Sequence, residues 1–257
     1  MKKIFILIIF MPLCFSSCSD DNSPTMTNVN ATFNFTHNWD GTEVTSSDFS
    51  TIQYTNDNGE LISIERLRYL ISDIIFTNSE NEVIELDIYK LIDLTNNTNL
   101  IFDLGSQIPP GDYRNVSFTF GFDNMDNAEN YLDLNSASFN VPDMLGGGYH
   151  YMQFDGKYID SNAMMEANFN YHAIRAVDNP GANPTFPQDT FFTVNLGGLA
   201  IYNNTTFNIG VNIAEWFKGP NTWDLNQLNT VLMPNSAAQI LMYENGRNVF
   251  SLGSVTQ

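Results

Sequence analysis

Residues 31–39 have the sequence ATFNFTHNW, in which large apolar or aromatic side chains alternate with small polar ones. Phe33, Phe35, His37 and Trp39 fall on one side of an extended chain, and only Thr and Asn stand between them. Successive side chains of a strand point to opposite faces of its sheet. This period of two therefore predicts a β-strand with one face buried and the other in water.

The same alternation returns at residues 116–122 and 207–213. Further strand-like runs, separated by turn-forming clusters such as NDNG at 56–59, lie at 52–55, 67–76, 83–86, 149–158, 165–171 and 191–196. Helical signal is limited to 214–218 and 237–244. Many short strands between turns predict an all-β fold: an antiparallel β-sandwich or barrel-like single domain with a few short helices.

The N-terminus has the pattern of an export signal. Two lysines precede an apolar run at 4–15, and Ser-Ser-Cys follows. That run is too short to span a bilayer. We interpret residues 1–17 as a lipoprotein signal peptide, Cys18 as the acylated residue, 18–30 as a flexible tether and 31–257 as the folded domain. The alternatives are an uncleaved anchor and a buried core helix.

The interpretation as a lipoprotein predicts where the protein works. Residues 19–23, SDDNS, resemble the acidic export signal of surface-exposed bacterial lipoproteins. We therefore expect an outer membrane lipoprotein, on the periplasmic or the cell-surface side, with the membrane as a partner through its lipid anchor. Loss of Lys2 and Lys3 with the signal takes the formal charge from −19 to −21. So acidic a chain is not expected to bind nucleic acid, which requires a basic surface.

The cysteine count and the absence of motifs limit the chemistry. Cys14 and Cys18 are the two cysteines, and neither would remain free in the mature domain. The domain would then have no disulfide, thiolate ligand or cysteine nucleophile. The sequence also lacks a G-x-S-x-G elbow, H-E-x-x-H, a P-loop and a dinucleotide fingerprint. We therefore expect a protein that is not an enzyme; the alternative is a glycoside hydrolase with a pair of catalytic carboxylates.

Five segments in order resemble one family. They are RLRYLISDIIF at 66–76, PPGDYRNVSFTFGF at 109–122, GYHYMQFDGKY at 148–158, NYH at 170–172 and ENGRNVFS at 244–251. Together they are similar to the MbnP-like family over roughly residues 31–252. The resemblance implies a β-rich periplasmic or surface protein, with copper as its cofactor. Copper sites in the family use histidines with an oxidised tryptophan, but the stretch at 143–148, DMLGGG, has no tryptophan here.

The chain contains three histidines, His37, His150 and His172. Imidazole is a good copper ligand where thiolate is absent. The resemblance favours His37, on the first strand, and His172, in the NYH stretch, as ligands, with His150 as a third candidate. The alternative for each is a core histidine with a hydrogen-bond partner, since unpaired burial is costly.

A second candidate site is the acidic stretch DNMDNAE at 123–129. Its carboxylates Asp123, Asp126 and Glu129 are oxygen ligands of the type that calcium prefers. The stretch lacks the spacing of an EF-hand loop, and a solvated loop is the alternative.

These observations predict a metal-binding protein, with copper as the expected ion and calcium as a second cofactor. The alternative is a surface binding or accessory module that contacts a protein or glycan partner without metal. A glycan surface would need exposed aromatic side chains, for which Tyr149, Tyr151 and Trp223 are candidates.

Overall fold

A computed structural model describes residues 27–105 and 107–257. The predicted signal peptide at 1–17, Cys18 and most of the tether at 18–30 lie outside the described residues. Among the residues that are described, no helix has both the length and the apolar character needed to cross a membrane.

The described part of the chain forms strands with two α-helices, α1 (Leu132–Ser136) and α2 (Ser236–Gly246). The strands are β1 (Ala31–Trp39), β2 (Thr42–Glu43), β3 (Tyr54–Thr55), β4 (Leu61–Asn78), β5 (Val83–Asp93), β6 (Ile101–Asp103), β7 (Gly111–Phe120), β8 (Met152–Asp160), β9 (Met165–Ala173), β10 (Phe192–Ile201), β11 (Thr205–Asn212) and β12 (Phe250–Thr256).

The strands form two sheets. One has the order β12-β11-β1-β2, with β6 also paired to β1. The other has the order β10-β7-β4-β8-β9, with β3 and β5 also paired to β4. Aromatic side chains join the two sheets, for example Phe33 against Phe118 at 6.2 Å and Phe35 against Tyr69 at 6.1 Å between ring centroids. The predicted all-β sandwich is confirmed.

One strand pair departs from the predicted antiparallel arrangement. Strands β1 and β11 are parallel, in register from Ala31 with Thr205 to Asn38 with Asn212. About 170 residues of chain separate the two strands, so no tight turn imposes an antiparallel pair. The alternation that predicted β1 and β11 indicates which face of each strand is buried. It is the same for parallel and antiparallel strands, so it does not give the direction of this pair.

The long strand β4 organises the second sheet. Its first half pairs with β3 and β8, and its second half pairs with β5 and β7. Leu67 and Tyr69 are buried on the core side, while Arg66 and Arg68 point the other way and are partly exposed. This alternation places a polar patch on the outer face of the sheet, where β4, β8 and β9 run side by side.

Candidate metal centre

The polar patch is built from neighbouring strand positions. Arg68 pairs with Gln153, which pairs with His172, so these three side chains lie on one face. The next row on that face consists of Arg66, Asp155 and Asn170. The row between them belongs to the core face of the sheet.

Asp155 holds His172 in a fixed orientation. Nε2 of His172 lies 2.7 Å from Oδ1 of Asp155, and a carboxylate oxygen can only accept, so Nε2 carries the proton. Arg66 pairs with the same carboxylate through its Nε at 2.5 Å, and Asn170 donates to it at 2.6 Å. Burial by itself raises the pKa of Asp155. The hydrogen bonds from His172 and Asn170 and the charge of Arg66 outweigh this effect and lower the pKa to about 2. In the neutral imidazole of His172, the lone pair is therefore on Nδ1.

His150 is oriented in a similar way by the backbone. Its Nδ1 donates to the carbonyl oxygen of Phe139 at 2.8 Å, which leaves the lone pair on Nε2. That Nε2 is buried and has no hydrogen-bond partner. Burial lowers the pKa of His150 to about 4, so the ring is neutral at pH 7.

His150 and His172 form what we term the histidine pair. Their ring centroids are 5.3 Å apart and their planes are nearly perpendicular, at 83°. Each ring has one nitrogen fixed by an acceptor and the other left as a potential ligand. This is the arrangement in which proteins commonly present imidazole to a metal.

His37 lies on the other side of the second sheet. It is 4% exposed, and its Nε2 is 3.1 Å from the hydroxyl of Tyr69, on the core face. Burial lowers its pKa to about 4. Because His172 is on the outer face of that sheet, the structure does not bring His37 and His172 to one ion. It brings His172 together with His150 instead.

A separate group of carboxylates, which we term the acidic cluster, joins three segments. The ligand oxygens of Asp73 in β4, Asp87 in β5 and Asp126 all lie within 4.8 Å of one another. Burial, together with the charges of Asp73 and Asp123, raises the pKa of Asp126 to about 6. Asp123 and Asp126 both border an open cleft of about 610 Å³ at this cluster.

The loop predicted to bind calcium contributes unequally to this cluster. Asp126 belongs to it, whereas Oδ1 of Asp123 accepts the backbone N–H of Met125 and of Asp126 and so stabilises the turn. Glu129 is exposed and is not among the residues that line the cleft. Calcium binding by Asp123, Asp126 and Glu129 stays a prediction.

Sequence reasoning missed the carboxylates supplied by strands. Asp155 lies in the predicted strand at 149–158, and Asp73 interrupts the apolar run at 67–76. A charged residue inside a strand that is otherwise largely buried was the available signal for both. The aromatic candidates for a glycan surface are also corrected, because Tyr149, Tyr151 and Trp223 are all buried.

The comparisons with known proteins agree with the fold. Residues 28–234 match the family model described as MbnP. A solved structure, MbnP from Methylosinus trichosporium, superposes with a TM-score of 0.53 at 11% identity, covering 87% of this chain and 98% of that one. No curated protein sequence matches the chain. Since the family model spans well over half of the sequence, the chain belongs to the MbnP family.

Proposed function

We propose that this protein is a membrane-anchored extracytoplasmic lipoprotein that binds copper through His150 and His172. The observation that carries the proposal is the buried Nε2 of His150, whose lone pair has no donor. An unpaired buried polar atom costs free energy, and a copper ion that accepts the lone pair removes that cost. Family membership and the resemblance to copper-binding relatives support the same ion.

The surroundings of the histidine pair favour a singly charged ion. The charges of Arg66 and Arg68 oppose positive charge at His150, and the carboxylate of Asp155 contacts His172. A doubly charged ion would meet about twice the repulsion from the two guanidinium groups. We therefore propose Cu(I), which accepts two imidazole ligands, with His150 Nε2 and His172 Nδ1 as the donors.

The copper proposal is tested by measuring bound metal. The domain from residue 27 onward is incubated with Cu(I) under anaerobic conditions, dialysed and analysed by mass spectrometry. We expect near-stoichiometric copper in the parent and in a His37→Gln control. The variants His150→Asn and His172→Gln should lose it, although the new amide at each position can keep the hydrogen bond that the histidine makes to Phe139 or Asp155.

Two outcomes contradict the proposal. Copper that stays bound in both His150→Asn and His172→Gln would place the ion elsewhere. If circular dichroism shows that the parent is folded and it still retains no copper, copper binding is not its function. That second outcome would leave the alternative, a surface module that contacts a protein or glycan partner without metal.

The lipid anchor has its own test. In cells, the protein should be labelled by palmitate and should partition into the detergent phase of Triton X-114. Cys18→Ser should abolish both, because no other acceptor for the lipid follows the predicted signal. Labelling that persists in Cys18→Ser would refute acylation at this residue. The role we propose is binding without catalysis.

A further inference from the structure

A buried carboxylate lies where the turn between β3 and β4 meets the segment 222–228. Glu60, at the end of that turn, is only 4% exposed. The two segments are joined by hydrogen bonds: Asn56 Nδ2 donates to the carbonyl of Trp223 at 3.3 Å, and Leu225 N donates to Oε1 of Glu60 at 3.1 Å. Glu60 is therefore part of the contact that holds this turn in place.

The two oxygens of Glu60 have very different surroundings. Oε1 accepts three bonds, from Leu225 N, from Asn58 Nδ2 at 2.9 Å and from Asn226 Nδ2 at 2.7 Å. Oε2 is buried and has no donor at all. Asn226 Nδ2, which donates to Oε1 of Glu60, also donates to Oδ1 of Asp224 at 3.2 Å, so the two carboxyl groups lie side by side.

Two neighbouring carboxylates repel each other unless a positive species lies close to both. That species is either a shared proton or a metal cation. Asp224 itself accepts bonds from Asn226 N at 2.9 Å and from Gln227 Nε2 at 2.5 Å. The three donors to Glu60 all bind Oε1, and its buried Oε2 is left without one, so this oxygen is available to a cation.

No basic side chain in the described residues, 27–105 and 107–257, is paired with Glu60 or Asp224. Each ion pair found in the described part of the chain involves other acidic residues, namely Asp40, Asp155, Glu166 and Glu215. A cleft of about 260 Å³ borders Glu60, with Asn58, Ser161 and Met164 among its lining residues. It gives an ion and its water ligands a route to the carboxylate pair.

We propose that Glu60 and Asp224 bind a hard divalent cation of the calcium class, which joins the β3–β4 turn to the segment 222–228. Oxygen-only donors, water-completed coordination and a flexible shell suit calcium better than a transition metal. This site is distinct from the loop at 123–129 and from the histidine pair. With two carboxylates, its affinity should fall in the range of extracellular calcium modules, about 10⁻⁴ to 10⁻³ M.

The test compares thermal unfolding in 10 mM calcium chloride and in EGTA. For the parent, a ligand at roughly 10 to 100 times its Kd should raise the unfolding midpoint by roughly 3–10 °C. Glu60→Gln retains a carbonyl oxygen for the three donors and presents an amide to Asp224. It should lose the calcium response, yet unfold in EGTA at or above the temperature of the parent, because the repulsion between carboxylates is gone.

Asp126→Asn is the matched control, since it removes a carboxylate from the acidic cluster and leaves Glu60 and Asp224 intact. We expect it to keep the calcium response. A parent whose midpoint is the same in calcium and EGTA would overturn the proposal. So would a response that survives in Glu60→Gln and disappears in Asp126→Asn, because the ion would then lie at the acidic cluster.

Discussion

The burial of His37 should make the fold sensitive to acid in a way that one substitution removes. His37 has a pKa of about 4 in the folded protein, against an ordinary value of 6.5, because burial disfavours its charged form. The unfolded chain therefore takes up the proton first as the pH falls. The free energy of unfolding should decrease between pH 6.5 and pH 4 and change little from this source outside that range.

The size of the effect follows from the two pKa values. Between pH 8 and pH 5, protonation of the unfolded state alone lowers the free energy of unfolding by about 2 kcal/mol for this one histidine. His37→Gln removes the titrating group and retains an amide that can contact the Tyr69 hydroxyl. We expect the variant to be less stable than the parent at pH 8 by about 1 kcal/mol, the usual cost of a weakened hydrogen bond and altered packing. At pH 5 the order should reverse.

The assay is urea unfolding of parent and variant at pH 8, 7, 6 and 5, followed by tryptophan fluorescence and circular dichroism. Other groups that titrate in this range, including His150 and Asp126, are present in both proteins and cancel in the difference. A stability difference between parent and variant that is constant from pH 8 to pH 5 would refute the reasoning. It would mean that His37 titrates normally in the folded state.

Three further predictions concern the site and its surroundings. Asp155→Asn should weaken copper binding about 10- to 100-fold in a Cu(I) competition assay, because it removes the carboxylate that orients His172. Unchanged affinity would show that the carboxylate has no such role. Asp126→Asn should raise the free energy of unfolding of the metal-free protein at pH 7.5 by on the order of 1 kcal/mol, after allowance for solvent screening, because the raised pKa of Asp126 makes its ionised form unfavourable in the fold. This stabilisation should vanish near pH 4, where the carboxyl is protonated. Chemical denaturation at both pH values measures the difference, and equal stabilisation at both would contradict the prediction. Gly148→Ala should lower the midpoint of thermal unfolding by several degrees, because Gly148 has a φ of 74° and an added Cβ would lie 2.7 Å from the backbone oxygen of Asn127. A midpoint equal to that of the parent would show that the loop relaxes freely.

Much of the fold could be predicted because the clearest strands are half-buried. Strand β1 runs from Ala31 to Trp39, as its alternation predicts, with one face in the core and the other mostly polar. Strand β4 extends beyond the predicted 67–76 to Leu61–Asn78, because its middle is buried on both faces and alternation no longer marks its ends. Strand β12 was missed because its sequence, FSLGSVT, has small residues and little burial.

Residue types and their spacing alone could not predict that His150 is the histidine beside His172. His150 precedes β8 and His172 lies in β9, so their proximity depends on the register between the two strands, which a sequence pattern does not give. The resemblance to the family favoured His37, which lies on the first strand among aromatic residues. Those aromatic residues place His37 in the core, where Tyr69 satisfies its Nε2.

The two most buried histidines, His37 and His150, differ in their hydrogen bonds. His37 and His150 are each 4% exposed, and burial lowers the pKa of each to about 4. The Nε2 of His37 has a hydroxyl partner, whereas the Nε2 of His150 has none, although its Nδ1 is held by a backbone carbonyl. An orphaned buried acceptor costs about 1–3 kcal/mol, and a fold that needed His150 only for packing would gain by replacing it with an apolar ring. A metal ion that accepted the lone pair of His150 Nε2 would remove this cost, which is why we propose a binding role for His150 and a structural one for His37.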